Sequence, residues 1–294
     1  MATAATNQSF LPCLICETRN PSSSAACKSC GAPMALVREA VAQQRDPRIV
    51  SVVGDSNVGK TVYLGFLLDM LAQRAQAFEA LPRGAYSVDL PQTVISHMAY
   101  RMFPPKTPME SNEWNWAYYQ VCKRAKTPKW VDLVMPDMAG EAIAAEVAAP
   151  STFRVIEHLL AKSNGLLLLV DAALAAHGSA QPDFFGLKML SYIDGLHGEE
   201  RKGKILMPVA IVLTKADYYP ACFDDPVRFA QANLNRLWNM ASSRFEHVAY
   251  FATSVVGSLA YATGGGGDEP VVPVPLHVSL RGVLEPFEWI VDQL

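Results

Sequence analysis

Long hydrophobic runs are the first thing this 294-residue sequence lacks. Its most apolar stretch, residues 165–174, is far shorter than the roughly 20 residues that cross a bilayer as a helix. The amino terminus has neither the basic start nor the apolar run of a secretory signal, and alanine at position 2 excludes the usual myristoylation signal, which requires glycine there. We therefore expect a soluble, cytoplasmic protein with no membrane partner.

An excess of charge of one sign is also absent. The chain has 25 basic and 28 acidic residues, a formal net charge of -3, so nothing attracts it in general to nucleic acid. The 6 histidines are scattered without metal-ligand spacing, and we expect none of them to act as a ligand or a base. Hydrophobic residues make up 50%, enough for one large domain or for an ordinary domain with a small appendage.

A phosphate-binding motif is what the sequence does contain. Residues 54–61 read GDSNVGKT, a full G-x-x-x-x-G-K-T (Walker A) pattern, between a predicted strand (49–53) and a predicted helix (62–71). This context argues against the alternative of a plain glycine-rich turn. Its backbone N–H groups and the positive helix end can bind phosphates, Lys60 can reach the β- and γ-phosphates, and the Thr61 hydroxyl can ligate Mg²⁺. The predicted nucleotide-binding residues here are Gly54, Asp55, Ser56, Asn57, Val58, Gly59, Lys60, Thr61 and Val62.

Cysteine is scarce, yet four of the 6 cysteines form two C-x-x-C pairs separated by ten residues. Without an export signal, such pairs favour a metal site over disulfides, and four thiolates suit tetrahedral zinc. The alternative is a chance spacing of free thiols. Cys122 and Cys222 lie far away and are interpreted as packing residues. The predicted zinc ligands are Cys13, Cys16, Cys27 and Cys30.

The cysteine spacing, with Asn20 between the pairs, resembles the zinc finger of the Ran-binding nucleoporin family. Members of that family bind ubiquitin, single-stranded RNA or other proteins. Here the usual tryptophan before the first cysteine is Leu11, and the Thr-Phe pair of ubiquitin binders is Glu17-Thr18. No aromatic residue is placed to stack on a base, so a protein-docking or structural ribbon is favoured over an RNA reader.

Two segments after the motif contribute candidate magnesium ligands. Thr107 lies in a proline-stiffened loop, PPKTP, that could close over a γ-phosphate; the alternative is an ordinary surface loop, and Thr93 and Thr127 are less favoured. Asp137 follows the predicted strand 130–135 and begins a D-x-x-G string. The predicted Mg²⁺ ligands are therefore Thr61, Thr107 and Asp137, and the Gly140 N–H is predicted to meet the γ-phosphate.

Near the other end of the sheet, the sequence predicts a base-recognition site. The buried strand 208–213 runs into Thr214-Lys215-Ala216-Asp217. An aspartate there can accept two hydrogen bonds from the N1–H and amine of guanine, which adenine does not offer. The strand 247–252 ends in a Thr-Ser-Val string whose backbone could contact the guanine carbonyl. The predicted base-binding residues are Thr214, Lys215, Asp217, Ser254 and Val255.

The predicted fold class is α/β: a three-layer α/β/α sandwich around a mostly parallel sheet, preceded by the small zinc ribbon. We expect a ribbon at 1–34, a linker helix at 35–47 and a main domain at 48–294. That domain carries an insert at about 75–129, an antiparallel strand pair, one helix from 226 to about 240, a flexible loop from Gly264 through Pro275, and a final helix from 280.

With these motifs in this order, residues 48–294 resemble the Ras-like (TRAFAC) superfamily of P-loop GTPases. The PPKT loop, the insert and the Cys₄ ribbon are most similar to the bacterial double-GTPase family, which is thought to act in conflict or defence systems beside a sister GTPase. The resemblance implies a GTP/GDP switch with Mg²⁺, in which Lys60, Thr107 and Glu141 are catalytic. Two residues depart from the pattern: Thr214 replaces an asparagine, and Glu141 replaces the water-positioning glutamine.

The leading hypothesis is a GTP-hydrolysing switch whose ribbon docks a protein partner. Because a carboxylate beside a γ-phosphate is repelled unless it is neutralised, turnover is expected to be slow or to need a partner's arginine. The alternative is a nucleotide-bound adaptor that scaffolds a complex with little hydrolysis. An RNA-directed GTPase is disfavoured by the net charge.

Overall fold

The computed structural model describes residues 9–73, 78–124, 129–197, 203–262 and 272–294. The amino-terminal part is a small ribbon in which strands β1 (Phe10–Pro12) and β2 (Arg19–Pro21) pair antiparallel. Helix α1 (Met34–Gln43) follows it and leads into the main domain. Three residues are too few to hold a strand pair by themselves, so the ribbon depends on its cysteines and on what it packs against.

The main domain is organised around a sheet of seven strands within the described residues. Five strands run parallel: β3, β6, β7, β8 and β9. At one edge, β5 pairs antiparallel with β6, and β4 pairs antiparallel with β5. The predicted antiparallel pair, β5 with β6, is thereby confirmed. The spatial order is β4-β5-β6-β3-β7-β8-β9. Its strands are β3 (Arg48–Gly54), β4 (Phe78–Pro82), β5 (Trp116–Lys123), β6 (Trp130–Pro136), β7 (Gly165–Asp171), β8 (Val209–Thr214) and β9 (Val248–Ala252).

Helices cover both faces of the sheet. Along β3, Ile49 and Val53 belong to one apolar core and Val50 and Val52 to the other, because alternate side chains of a strand point to opposite faces. The helices are α2 (Lys60–Ala72), α3 (Asp89–Ala99), α4 (Gly140–Ala148), α5 (Arg154–Lys162), α6 (Ala172–Ala176), α7 (Gln181–His197), α8 (Ala221–Asp224), α9 (Pro226–Asn233), α10 (Asn235–Arg244) and α11 (Glu285–Gln293). The predicted three-layer α/β/α fold is thereby confirmed. In the part of the chain that the structure describes, no helix combines the length and the apolar character that a bilayer crossing needs.

The single helix predicted from 226 to about 240 is wrong: the chain forms α9 and α10 with a non-helical residue, Leu234, between them. The buried carboxylate of Asp183 explains the break. It accepts hydrogen bonds from the N–H groups of Arg236 (3.3 Å) and Leu237 (2.8 Å), which starts a new helix at that point.

The predicted loop and final helix also need correction. Residues 263–271, including the predicted glycine run, lie outside the described residues. Beyond them the chain forms strand β11 (Val272–Arg281), paired antiparallel with β10 (Ser254–Ala262), and α11 starts only at Glu285. Pro273 and Pro275 favoured a loop in the sequence, but a two-stranded sheet has open edges where a missing N–H costs nothing.

The parallel strands β3, β7 and β8 end at the same edge of the sheet, at Gly54, Asp171 and Thr214 respectively. Ligands of open α/β sheets bind outside the carboxyl ends of the strands. A ligand-binding site is therefore expected at this edge, where the predicted motifs also lie.

Candidate functional site

The loop between β3 and α2 has the shape that its glycines predict. Gly59 precedes the helix with φ 96°, in the left-handed region that favours glycine, and Asn57 has φ 61°. The loop thereby turns sharply from the strand into the amino terminus of α2. Backbone N–H groups at such a helix start are a ready anion site.

Lys60 is buried and directed into this loop. Its Nζ donates hydrogen bonds to the carbonyl oxygens of Gly54 (2.9 Å) and Asp55 (2.8 Å). Burial lowers the pKa of Lys60 to about 8, although the charges of Asp137 and Glu141 act in the opposite direction. An incoming anion would favour the charged ammonium and would compete with the two carbonyl groups for it.

Three predicted magnesium ligands from separate parts of the chain lie in direct contact. The Thr107 hydroxyl donates to Asp137 Oδ2 at 2.9 Å and lies 2.9 Å from the Thr61 hydroxyl, which donates to Asp137 Oδ1 at 3.2 Å. Asp137 is buried, and burial raises its pKa to about 6. Hydroxyl and carboxylate oxygens are ligands that Mg²⁺ prefers, so this donor set fits the ion.

Glu141 lies in the first turn of α4 and reaches the phosphate-binding loop. Its Oε1 accepts a hydrogen bond from the Ser56 hydroxyl at 2.6 Å, and the Lys106 Nζ lies 3.2 Å from the same oxygen. The Ser56 hydrogen bond, with a smaller contribution from Lys106, lowers the pKa of Glu141. The carboxylate is therefore held charged, between the phosphate-binding loop and the loop that carries Thr107.

Gly140 packs tightly against the phosphate-binding loop. A Cβ atom at this position would lie 2.7 Å from Lys60 Nζ, 2.7 Å from Ser56 N and 2.8 Å from the Asp55 carbonyl carbon. Two of those contacts are with backbone that cannot move aside, so the start of α4 can approach the loop only without a side chain at 140.

At the other end of the same sheet edge, the Thr-Lys-Ala-Asp segment follows β8. Lys215 has φ 56°, and its Nζ forms an ion pair of 2.5 Å with Asp171 at the end of β7. The Ser254 hydroxyl donates to Asp217 Oδ1 at 2.7 Å. The Asp217 carboxylate is therefore oriented by the segment that follows β9.

One cavity of about 800 Å³ joins the two ends. Lys60 and Thr107 line it at the phosphate-loop end, and Asp217 and Val255 line it at the other. The predicted site residues that line it are Ser56, Asn57, Val58, Gly59, Lys60, Thr61, Val62, Thr107, Gly140, Glu141, Thr214, Lys215, Asp217 and Val255.

Four predicted residues do not line this cavity. Gly54 ends β3 beneath the loop, and Asp137 is buried behind the two threonine hydroxyls that it binds. Asp55 Oδ2 accepts a hydrogen bond from the side chain of Gln181 (2.9 Å) and lies at a neighbouring small cavity, while Ser254 reaches the site through Asp217.

Sequence reasoning missed other residues of the cavity wall. The hairpin β10–β11 contributes Val256, Leu259, Tyr261 and Pro273, which no motif marks. Lys106 was also missed, although it precedes the predicted Thr107 and a cation next to a phosphate site is a recognisable signal.

The four ribbon cysteines converge as predicted. Their sulfur atoms lie within 4.8 Å of one another, with Cys13–Cys30 at 3.7 Å and Cys16–Cys27 at 3.5 Å. Tetrahedral zinc with Zn–S bonds of about 2.3 Å places its sulfurs about 3.8 Å apart, so the cluster could hold zinc. Asn20 is fully buried and links the two halves: its side chain accepts from Lys28 N (2.9 Å) and donates to Cys27 Sγ (3.4 Å).

The ribbon packs on the main domain next to the Thr107 loop. The Ser111 hydroxyl donates to the Cys30 carbonyl at 3.4 Å, and Lys162 forms an ion pair of 2.7 Å with Glu17. Trp114, which follows Ser111, is buried in the same core as the ribbon cysteines. One side of the ribbon is thus covered by its own chain.

Comparison with solved structures gives remote similarity. Roco2 RocCORdC of Methanosarcina barkeri bound to GDP is 16% identical over 71% of this chain and 43% of its own, with a TM-score of 0.32. The GTPase-like domain of S. cerevisiae Ski7 bound to GTP is 16% identical over 71% of this chain and 42% of its own (TM-score 0.40). The SRb-GTP/SRX complex of the Chaetomium thermophilum signal recognition particle receptor is 16% identical over 76% and 94% (TM-score 0.38).

The match thus spans less than half of the Roco2 and Ski7 chains. No curated protein matches this sequence. The family model described as Double-GTPase 1 matches residues 51–250, which contain the phosphate-binding loop, the Asp137–Gly140 string and the Thr214–Asp217 segment. The chain belongs to the Double-GTPase 1 family.

Proposed function

We propose that this protein binds GTP and GDP in the cavity at the carboxyl edge of the sheet. The observation that carries the proposal is that Lys60, Thr107 and Asp217 line one cavity although they are far apart in the chain. In this assignment the phosphates occupy the loop from Gly54 to Val62, and the base occupies the end formed by Thr214, Lys215, Asp217, Ser254 and Val255.

Magnesium is assigned to Thr61, Thr107 and Asp137. Support comes from the short contacts among their oxygen atoms and from the position of Asp137 at the end of a buried strand. When bound, Mg²⁺ would neutralise phosphate charge. The two hydroxyl groups and the carboxylate would hold the loop that carries Thr107 over the nucleotide.

The proposed activity is hydrolysis of GTP to GDP and phosphate, with Lys60, Thr107 and Glu141 as the catalytic residues. Lys60 binds the β- and γ-phosphates, Thr107 closes the loop, and the Glu141 carboxylate accepts a hydrogen bond from the attacking water. Release of Thr107 and Gly140 after hydrolysis would free their two segments, as in a nucleotide switch.

A second candidate is a nucleotide-bound adaptor with little hydrolysis. It is favoured by the contact of Glu141 with Ser56, because a carboxylate held there repels a γ-phosphate. A single-turnover GTP hydrolysis assay separates the two. A switch releases phosphate within minutes, and an adaptor keeps intact GTP through hours of incubation.

We extend the proposal to the organisation of the chain: a zinc ribbon at 1–34, a linker helix at 35–47 and a GTPase domain at 48–294 with an insert at about 75–129. The ribbon side that is not packed on Ser111 and Lys162 would dock a protein partner, with a sister GTPase as the candidate and a cytoplasmic defence system as the setting. The match to the Double-GTPase 1 family model supports the GTPase part of this proposal, and the setting rests on the resemblance described under the sequence analysis. Co-purification in the GTP-bound and GDP-bound forms tests the docking.

The decisive experiment for the proposed function is a nucleotide competition assay with the purified protein and a fluorescent GDP. With Mg²⁺ present, we expect GTP to compete at least about 100-fold better than ATP, because the Asp217 carboxylate has no pair of donors to bind on adenine. Equal competition by ATP and GTP would contradict the base-recognition assignment. If no nucleotide binds at all, the proposal as a whole is wrong.

A further inference from the structure

The loop that carries Thr107 makes two contacts with the site through two adjacent residues. Thr107 binds Thr61 and Asp137, as described above, and the neighbouring Lys106 places its Nζ 3.2 Å from Glu141 Oε1. Adjacent residues thus contact two different acids, one behind the metal-ligand hydroxyls and one beside the phosphate-binding loop. The arrangement that places Thr107 against Asp137 therefore also places a cation against Glu141.

The charges around the cavity show why that cation matters. Among the described residues that line it, the lysines are Lys60, Lys106 and Lys215, and no arginine is present. Lys60 is hydrogen-bonded within the phosphate-binding loop, and Lys215 is paired with Asp171 at the base end. Lys106 is therefore the lysine of the cavity wall that can compensate the charge of Glu141.

Resting on the proposed GTPase function, we propose that Lys106 is a positioning residue for hydrolysis. Its ammonium group neutralises the Glu141 carboxylate, so that this acid can stand beside the γ-phosphate and orient the attacking water. The chain would then supply in cis, from its own loop, the charge compensation otherwise expected from a partner's arginine.

In the step itself, the water oxygen bonds to the γ-phosphorus while the bond from that phosphorus to the β–γ bridging oxygen breaks. The electron pair of the broken bond stays on GDP, and one water proton passes to an oxygen of the released phosphate. Glu141 accepts a hydrogen bond from the water and takes up no net proton. Lys106 takes no part in the proton transfer and acts through Glu141 throughout.

A double-mutant cycle tests whether Lys106 acts through Glu141. The chains are the wild type, Lys106→Ala, Glu141→Gln and the double variant, each measured in single-turnover GTP hydrolysis. We expect Lys106→Ala to slow hydrolysis about 100-fold when the carboxylate is present, the size typical of losing one oriented charge in an active site. In the Glu141→Gln background there is no charge to compensate, and the same change should then cost less than about 3-fold.

Nucleotide affinity gives a readout that does not depend on turnover. In Lys106→Ala, the uncompensated carboxylate should weaken binding of a non-hydrolysable GTP analogue about 10-fold, with GDP affinity unchanged, because only the analogue carries a γ-phosphate. Adding Glu141→Gln should restore analogue binding. Lys106→Arg should stay within about 3-fold of the wild type in both assays, since it keeps the charge.

The matched control is Lys123→Ala, which removes another lysine paired with acids, Glu288 and Asp292, none of which lines the cavity. Its hydrolysis rate and its nucleotide affinities should equal those of the wild type. If Lys106→Ala slows hydrolysis equally in the wild-type and Glu141→Gln backgrounds, the proposal is overturned, because Lys106 then acts on the phosphates directly. The proposal is also overturned if Lys106→Ala does not slow hydrolysis in the wild-type background. A wild type that binds GTP and GDP while giving either result keeps the proposed function and loses only this inference.

Discussion

The cysteine cluster and the cavity at the carboxyl edge of the sheet both gather polar or ligand atoms around one place, but they do so by different means. The cluster uses four residues between Cys13 and Cys30, held by local hydrogen bonds such as those of Asn20. The cavity uses the carboxyl ends of several strands, and its residues extend from Ser56 to Pro273. The first site depends on spacing within a short segment, and the second depends on the sheet.

The two sites also differ in what their polar groups contact within the protein. The cysteine sulfurs face mainly one another, at distances that suit a metal between them. In the cavity, Lys60 binds the carbonyl groups of its own loop and Thr107 binds Asp137, so these two polar groups already have partners. A nucleotide would replace existing contacts there, whereas a metal would complete the ribbon. Loss of its metal should therefore destabilise the ribbon far more than loss of a nucleotide would destabilise the cavity.

The largest effect is expected from removing the ribbon metal, by chelation or by Cys13→Ser. Structural zinc contributes about 10–16 kcal/mol of apparent binding free energy in isolated fingers, and the ribbon strands are too short to fold without it. Hydrogen exchange should show loss of protection for residues 9–33, while the central sheet remains protected. Measured zinc content should fall with it.

Cys222→Ser is the matched control for the ribbon, because Cys222 is buried in the main domain outside the cluster and burial raises its pKa to about 11. This change should cost at most about 1–3 kcal/mol of unfolding free energy and leave zinc content unchanged. A ribbon that stays protected after complete chelation would contradict the contrast between the two sites.

Asp217→Asn should have the next largest effect, at the end of the cavity proposed to bind the base. The amide cannot accept both hydrogen bonds from guanine, so GTP affinity should fall about 100-fold or more, while xanthosine triphosphate, which offers an acceptor at that position, should bind more tightly than GTP. Competition with fluorescent GDP and fluorescent XDP measures both. Asp224→Asn is the control, since Asp224 is an exposed aspartate nearby that does not line the cavity, and unchanged GTP affinity is expected for it.

Gly140→Ala tests the contact between α4 and the phosphate-binding loop. The added Cβ would meet Ser56 N and Asp55 backbone below 3.0 Å, so the two segments must separate, at a cost of about 1–3 kcal/mol in unfolding free energy. Denaturant unfolding measures the change. Gly195→Ala in α7 meets nothing within 4 Å and should be neutral or stabilise by up to about 1 kcal/mol. Equal stability of Gly140→Ala and the wild type would show that α4 does not rest on the loop.

The smallest effect on stability is expected at Asp132, a buried residue of β6 that faces the segment joining the ribbon to the main domain. Its Oδ1 has no hydrogen-bond partner among the described atoms, and Oδ2 lies 3.7 Å from Arg45 Nε in the segment after α1. Burial raises the pKa of Asp132, against the opposing charges of Arg45 and Arg83. Asp132→Asn should therefore be neutral or stabilise by up to about 1 kcal/mol at pH 8.

The sign of the pH dependence follows from this raised pKa. The native state binds the proton more tightly than the unfolded state. The buried carboxylate therefore destabilises the native state fully above the native pKa, and this destabilisation disappears below the unfolded pKa of about 3.9. The gain from Asp132→Asn should shrink as the pH falls from 8 toward 4. Denaturant unfolding at several pH values measures it, and a gain that grows on acidification would contradict the burial argument.

Sequence reasoning worked best where the chemistry is local. The strand-to-helix context of GDSNVGKT fixes the loop before Lys60, and C-x-x-C spacing brings four thiols together, because in both cases the interacting groups lie in one short segment of chain. It failed where a distant group decides the local structure, as at Leu234, where Asp183 of another helix starts α10. The hairpin β10–β11 was missed because Pro273 and Pro275 favour a loop in the sequence, whereas they lie in a strand of a two-stranded sheet.

The sequence by itself determined which groups are available: a Walker A motif between a strand and a helix, an aspartate after a buried strand, and four cysteines in two C-x-x-C pairs. Only the tertiary structure decided which of these share a place. It joined Lys60 and Asp217 in one cavity, brought Lys106 to Glu141, and packed the ribbon beside the loop of Thr107. The physical reason is that spacing along the chain governs contacts within a few residues, whereas strand order and packing on the sheet govern all the others.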